Sequence, residues 1–114
     1  MRVLGRRYDT REAVVVSIDD GRICDVSAAG QSRASGTLPW LAPGFVDVQV
    51  NGFDGCEFND PALTVADVLR VSSILDRFGV TSYYPTATTD SYEALSRTMS
   101  TLACACQQSA EVAC

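Results

Sequence analysis

The 114-residue chain reads as an α/β protein, and three observations predict that class. Apolar Val46, Val48 and Val50 alternate with Asp47, Gln49 and Asn51, the period of a strand. Residues 80–84 form a second short run of β-branched and aromatic residues. After each run, apolar residues recur at helical spacing. The order from residue 45 is therefore strand, loop, helix, strand, loop, helix. Such alternation means parallel strands joined by helical crossovers, the unit of an α/β layer or barrel.

The elements follow in order. Residues 13–18 are a β-branched run, Asp20-Gly21 is a two-residue hairpin turn, and residues 22–26 return as a second strand. Residues 27–36 are small and polar and read as a connecting loop or domain junction. An extended segment starts at 38–41, and Pro43-Gly44 stops anything regular from running into the strand at 45–51. Asn51-Gly52 and Asp54-Gly55 then end that strand in a tight loop.

Asp60-Pro61 offers a helix start, an N-cap followed by proline at the first helical position, and Thr64-x-x-Asp67 offers a second as a capping box. Val65, Val68, Leu69, Ser72, Leu75 and Phe78 form one stripe, widened by Val71 and Ile74, and Gly79 ends the helix. Pro85 closes the strand at 80–84. Asp90-x-x-Glu93 opens the last helix, whose buried stripe is expected to be Leu95, Met99, Leu102 and Cys106.

Nine basic against fourteen acidic residues leave a net charge of −5, which disfavours nucleic acid or an anionic membrane surface as partner and favours a small solute. Residues 1–10 carry arginines but no apolar stretch of a secretory signal. No run approaches the roughly 18 apolar residues of a membrane span, so a cytoplasmic location is expected. The five cysteines, at 24, 56, 104, 106 and 114, include no C-x-x-C pair and read as reduced thiols. Cys104 and Cys106 sit at helical positions that point apart, so they read as small packing residues, not metal ligands. The chain has no histidine, which removes the commonest general base and the commonest zinc ligand together.

The polar side of the strand at 45–51 carries the candidate site. Valines 46, 48 and 50 are expected to pack against helices, with Asp47, Gln49 and Asn51 on the opposite face at the carboxyl end, where parallel α/β sheets keep their sites. Two readings stay open: a satisfied polar network that fixes neighbouring strands, or a ligand pocket bordered by Gln49 and Asn51.

Residues 41–60, L-A-P-G-F-V-D-V-Q-V-N-G-F-D-G-C-E-F-N-D, closely resemble the first barrel strand and following loop of N-acetylglucosamine-6-phosphate deacetylases, in the amidohydrolase superfamily. Residues 79–86, G-V-T-S-Y-Y-P-T, resemble that family's second barrel strand, and Asp20-Gly21-Arg22-Ile23 resembles a hairpin of the small β-sandwich before the barrel. The Q-x-N-G continuation with the G-x-x-F-N-D tail is the specific part.

The resemblance implies part of a β-sandwich over residues 1–42 and the first two βα units of a (β/α)8 barrel over residues 43–114. A complete barrel of this type needs eight units in about 250 residues, so the chain is expected to be an incomplete piece, inactive alone.

The activity implied is metal-assisted hydrolysis of the acetamide to glucosamine 6-phosphate and acetate, with one divalent ion, zinc, in the complete enzyme and none expected on this chain. Most amidohydrolases have metal-binding histidines where this chain has Gln49 and Asn51. The resemblance therefore makes these amides pocket-lining groups beside a single metal, with Asp47 and Gly52 as structural support. Glu57, Glu93 and Glu111 do not match the family's catalytic positions. A homodimer, or association through exposed strand edges, is the expected assembly. The competing readings are an amidohydrolase acting on a cyclic amide or another acetylated sugar, and a non-catalytic chain that binds a partner.

Overall fold

Asp20 and Gly21 both take left-handed backbone angles, φ 46° and 71°, the geometry that folds a two-residue connection back on itself with the twist of the flanking strands. The computed structural model in which this turn is seen describes residues 1–30 and 37–108. The turn joins β2 (Ala13–Asp19) to β3 (Arg22–Ala28), as the β-branched run and Asp-Gly pair predict. A strand not anticipated, β1 (Arg2–Arg7), pairs antiparallel with β2 and parallel with β4 (Trp40–Leu41). Arginines at 2, 6 and 7 hide this strand from any reading of apolar period. The sheet order is β3-β2-β1-β4, with Val14 and Val15 buried and β3 exposed along its length. Of the connecting loop expected at 27–36, residues 27 and 28 extend β3 and residues 31–36 lie outside the described residues.

The chain divides into two units, Met1–Pro43 and Gly44–Cys114. In the second, β5 (Phe45–Val50) and β8 (Val80–Pro85) are parallel neighbours, connected through the hairpin β6 (Gly52–Phe53) and β7 (Cys56–Glu57) and the helix α1 (Val65–Arg77). Helix α2 (Tyr92–Gln108) follows and packs on α1. The two parallel strands form an open sheet, not a closed barrel. Gly44 lets β5 start against β8: a Cβ there would lie 2.0 Å from Thr81 Oγ1 and 2.3 Å from Thr81 Cγ2.

Helix α1 starts at the second of the two expected signals. Thr64 is the N-cap, with the Asp67 N–H donating to Thr64 Oγ1 at 3.2 Å and the Thr64 N–H donating to Asp67 Oδ2 at 3.0 Å. Asp60-Pro61 instead forms a turn. Asp60 Oδ1 accepts the Ala62 N–H at 2.8 Å and the Asp60 carbonyl accepts the Leu63 N–H at 3.0 Å, so the local side-chain bond wins over a helical start.

The core gathers Val50, Phe58, Val68, Val71, Leu75, Leu102 and Ala105, with Tyr83 and Val80 against it. Helix α2 is capped by Ser91, whose Oγ accepts the Ala94 N–H at 3.2 Å, not by the expected Asp90. Its buried face is also turned from the expected one: Thr98, Leu102 and Ala105 are buried and Met99 is exposed. Small side chains at 98 and 105 allow close approach to α1, which a search for large apolar residues passes over.

Among the described residues no helix is long and apolar enough to cross a membrane. Cys24, Cys56 and Cys104 are free thiols, as expected, whereas Cys106 is disulfide-bonded. The correction has a geometric reason: a disulfide depends on how closely two backbone positions approach, which neither cysteine count nor the absence of a C-x-x-C pair reveals.

Candidate functional site

The strand β5 does not hold its period to the end. Asp47 pairs with Tyr83 and Val50 with Pro85, and the register shifts between them. Within that shift the Gln49 N–H donates to Asp47 Oδ1 at 3.1 Å, so a side chain two residues back takes a donor that a regular strand would offer to its neighbour. The expected packing of all three valines against the helices is therefore corrected. Val50 is 5 % exposed, but Val46 and Val48 are 59 % and 75 % exposed. The segregation of polar side chains away from the helices is corrected too, because the groove that Asp47, Gln49, Asn51 and Gly52 share is also lined by Leu75 of α1 and by Phe78, which caps that helix.

That groove has a volume of about 500 Å³ and is open to solvent. Phe53 and Phe78, both lining it, meet edge to face at 5.7 Å between ring centroids. All four residues singled out from the sequence border it. Asn51 also faces a second cleft of about 360 Å³, together with Gly52, Glu57, Asn59 and Thr88. The two hollows meet at Asn51 and Gly52, at the carboxyl end of β5.

Gly52 is required where it stands. Its φ of 152° lies in a region that side-chain-bearing residues rarely enter, and a Cβ would fall 2.0 Å from the Cys56 carbonyl oxygen across the hairpin. The sharp exit from β5 thus depends on the Asn-Gly pair, and it leaves Asn51 exposed at the rim.

The chemistry available is hydrogen bonding. Gln49 and Asn51 offer side-chain amides, each with donors and an acceptor, and Glu57 and Asp47 offer carboxylates. Burial, and next the charge of Asp67, push the Cys56 thiol above its ordinary range, so it is held as a neutral thiol, not a nucleophilic thiolate.

The donor set does not fit the divalent ion implied by the resemblance. Asp47, with an oxygen already engaged, is the one carboxylate in the groove and Glu57 lies in the neighbouring cleft; beside two neutral amides they fall short of the imidazole, thiolate or grouped carboxylate ligands that zinc or magnesium takes. Among the described residues no three of His, Cys, Asp and Glu are grouped to hold an ion.

Sequence reasoning quoted Asn59 in the G-x-x-F-N-D tail but gave it no role, and it missed Thr88. Asn59 Nδ2 donates to the Thr88 carbonyl at 3.1 Å and Asn59 Oδ1 accepts the Thr88 N–H at 2.7 Å. Phe58, quoted in the same tail, was not expected in the core, yet it is fully buried from a loop. An aromatic followed by Asn-Asp-Pro signals a turn, but nothing local announces a partner 29 residues away. No known protein-family model matches the chain.

Proposed function

We propose that this chain forms the first wall of the substrate cavity of an N-acetylglucosamine-6-phosphate deacetylase, acting in the cytoplasm on an amino-sugar phosphate and not on nucleic acid or membrane. The observation that carries the reading is the Gln49-x-Asn51-Gly52 exit from a parallel strand, with both amides bordering an open groove at the strand's carboxyl end. There the side-chain amides of Gln49 and Asn51 hydrogen-bond the hydroxyl and acetamide groups of the sugar and orient it. The divalent ion of this reaction class activates water and polarises the carbonyl. The groove's own donors do not suit that ion, so in this reading its ligands, the catalytic acid and the phosphate-binding groups come from polypeptide other than these 114 residues.

The test is acetate release from N-acetylglucosamine 6-phosphate by the pure polypeptide, together with its metal content. Neither turnover nor a tightly held equivalent of metal is expected. Finding both would overturn this division of labour. The reading frame past codon 114 tests the family itself: a His-x-Glu-Gly-Pro-like segment within the next few codons supports it, and a frame without one speaks against it. A cyclic amide or another acetylated sugar remains the competing substrate class, to be assayed alongside.

A second reading, association through β5, is favoured by the exposure of Phe45, Val46 and Val48 along a strand that pairs only with β8 among the described residues. Solution mass at several concentrations decides it, since a stable monomer speaks against association.

A further inference from the structure

Three hydrogen-bonded links close a circuit around Asn51. The Asn51 carbonyl accepts the Phe58 N–H at 2.8 Å, and the Val50 carbonyl accepts the Thr86 N–H at 2.8 Å. The third link is the Asn59 side chain, whose oxygen and nitrogen engage the N–H and carbonyl of Thr88 at 2.7 and 3.1 Å. A planar amide meeting both backbone groups of one residue fixes orientation as well as distance.

The three links connect residues 50–51, 58–59 and 86–88, so each begins within two residues of where the previous one ends. Phe58, fully buried, seats the circuit on the core. The segments it ties together supply the lining of the 360 Å³ cleft. Remove the Asn59 link, and this circuit joins the loop after β7 to the loop after β8 only by way of β5. Both polar atoms of the Asn59 side chain are already engaged by Thr88, which suits holding more than contacting a ligand.

We propose that Asn59 is a positioning residue, locking the loop after β7 to the loop after β8 and so holding Asn51 at the mouth of the cleft. The functional consequence rests on Asn51 bordering the ligand cavity, as argued above, whereas the lock stands on the bonds alone.

Nuclear magnetic resonance on the isotope-labelled full chain tests it, comparing Asn59→Ala, Asn59→Asp and Thr88→Val. In Asn59→Ala the Thr88 N–H is expected to exchange about tenfold faster, the size of one lost hydrogen bond, with the Asn51 side-chain amide resonances shifted and broadened. The Val71 amide in the core should keep its chemical shift, which a general rearrangement of the packing would not allow.

Asn59→Asp keeps the acceptor for the Thr88 N–H and should retain most of its protection. Thr88→Val leaves both bonds, since they use only the Thr88 backbone, and should match the wild type. Unchanged Thr88 exchange and unchanged Asn51 resonances in Asn59→Ala would overturn the proposal, as would the same loss in Thr88→Val. With the lock seen, the reading frame past codon 114 bears on the deacetylase reading alone: a His-x-Glu-Gly-Pro-like segment supports that reading, and a frame without one overturns it while leaving the lock standing.

Discussion

The Tyr83 hydroxyl lies 2.8 Å from Ser72 Oγ, and Ser72 Oγ donates in turn to the Val68 carbonyl at 3.0 Å. A serine has one hydroxyl proton, so with that proton on Val68 the tyrosine is the donor. The direction sets unequal costs. Tyr83→Phe removes one donor and leaves Ser72 satisfied, an expected loss of about 0.5–1.5 kcal/mol. Ser72→Ala strands the phenol in a half-buried place, at about 1–3 kcal/mol. Urea unfolding of the two variants checks the order; a larger loss for Tyr83→Phe would reverse the assigned direction.

Alkaline pH should destabilise the Gly44–Cys114 unit. Burial raises Tyr83 above the ordinary tyrosine range, the Ser72 bond pulling the other way, and burial likewise raises Cys56. The folded state therefore keeps protons that the unfolded chain releases, so stability is whole below the ordinary values and falls as pH rises through them and on to the raised folded ones. The chain has no lysine, which leaves tyrosines and cysteines as the side chains that titrate between about pH 8 and 11. Denaturation across that window should show a falling stability, with a shallower fall in Tyr83→Phe.

The capping box of α1 should be felt at acid pH. Hydrogen bonds from the Thr64 side chain and then its backbone N–H hold Asp67 below the ordinary carboxylate range. Its contribution is present above that range and is lost as pH falls through the depressed folded value. Thr64→Ala is expected to cost about 0.5–2 kcal/mol near neutral pH, by removing the cap acceptor and donor together. Stability measured from about pH 6 down to pH 2 should fall less steeply in that variant, because Asp67 returns toward its ordinary value.

Gly52→Ala should cost on the order of 2 kcal/mol or more, since the backbone angle is strained for any side chain and the new Cβ meets the Cys56 carbonyl. Gly30→Ala is the control. Among the described residues no atom lies within 4 Å of a Cβ built there, so a change within about 0.5 kcal/mol is expected. Equal losses at both positions would count against the hairpin geometry.

What could be read from the sequence was whatever is local. The Asp20-Gly21 turn, the stripe of α1 and the strand–helix–strand order all follow from neighbours within a few residues. Two candidate starts for α1 were equally visible, but choosing Thr64 over Asp60 needed the competing bonds of each. The period of β5 misled because Asp47 captures the N–H of Gln49, a local event that alternation of valines does not encode. For the site, proximity of Asp47, Gln49, Asn51 and Gly52 was readable from their spacing. The helix wall opposite them and the Asn59–Thr88 bonds join segments far apart in the chain, and one sequence carries no trace of such pairings.

Phe58 has a double attachment: its ring is fully buried beside Tyr83, and its N–H is bound to Asn51. A densely packed interior has little slack to absorb a change in side-chain volume. Swapping one aliphatic for another deep beneath α1 would tilt that ring, and the tilt would travel along the backbone to the rim. Variation at positions remote from the rim can thereby move Asn51, so the shape of the exit from β5 is inherited partly from the interior.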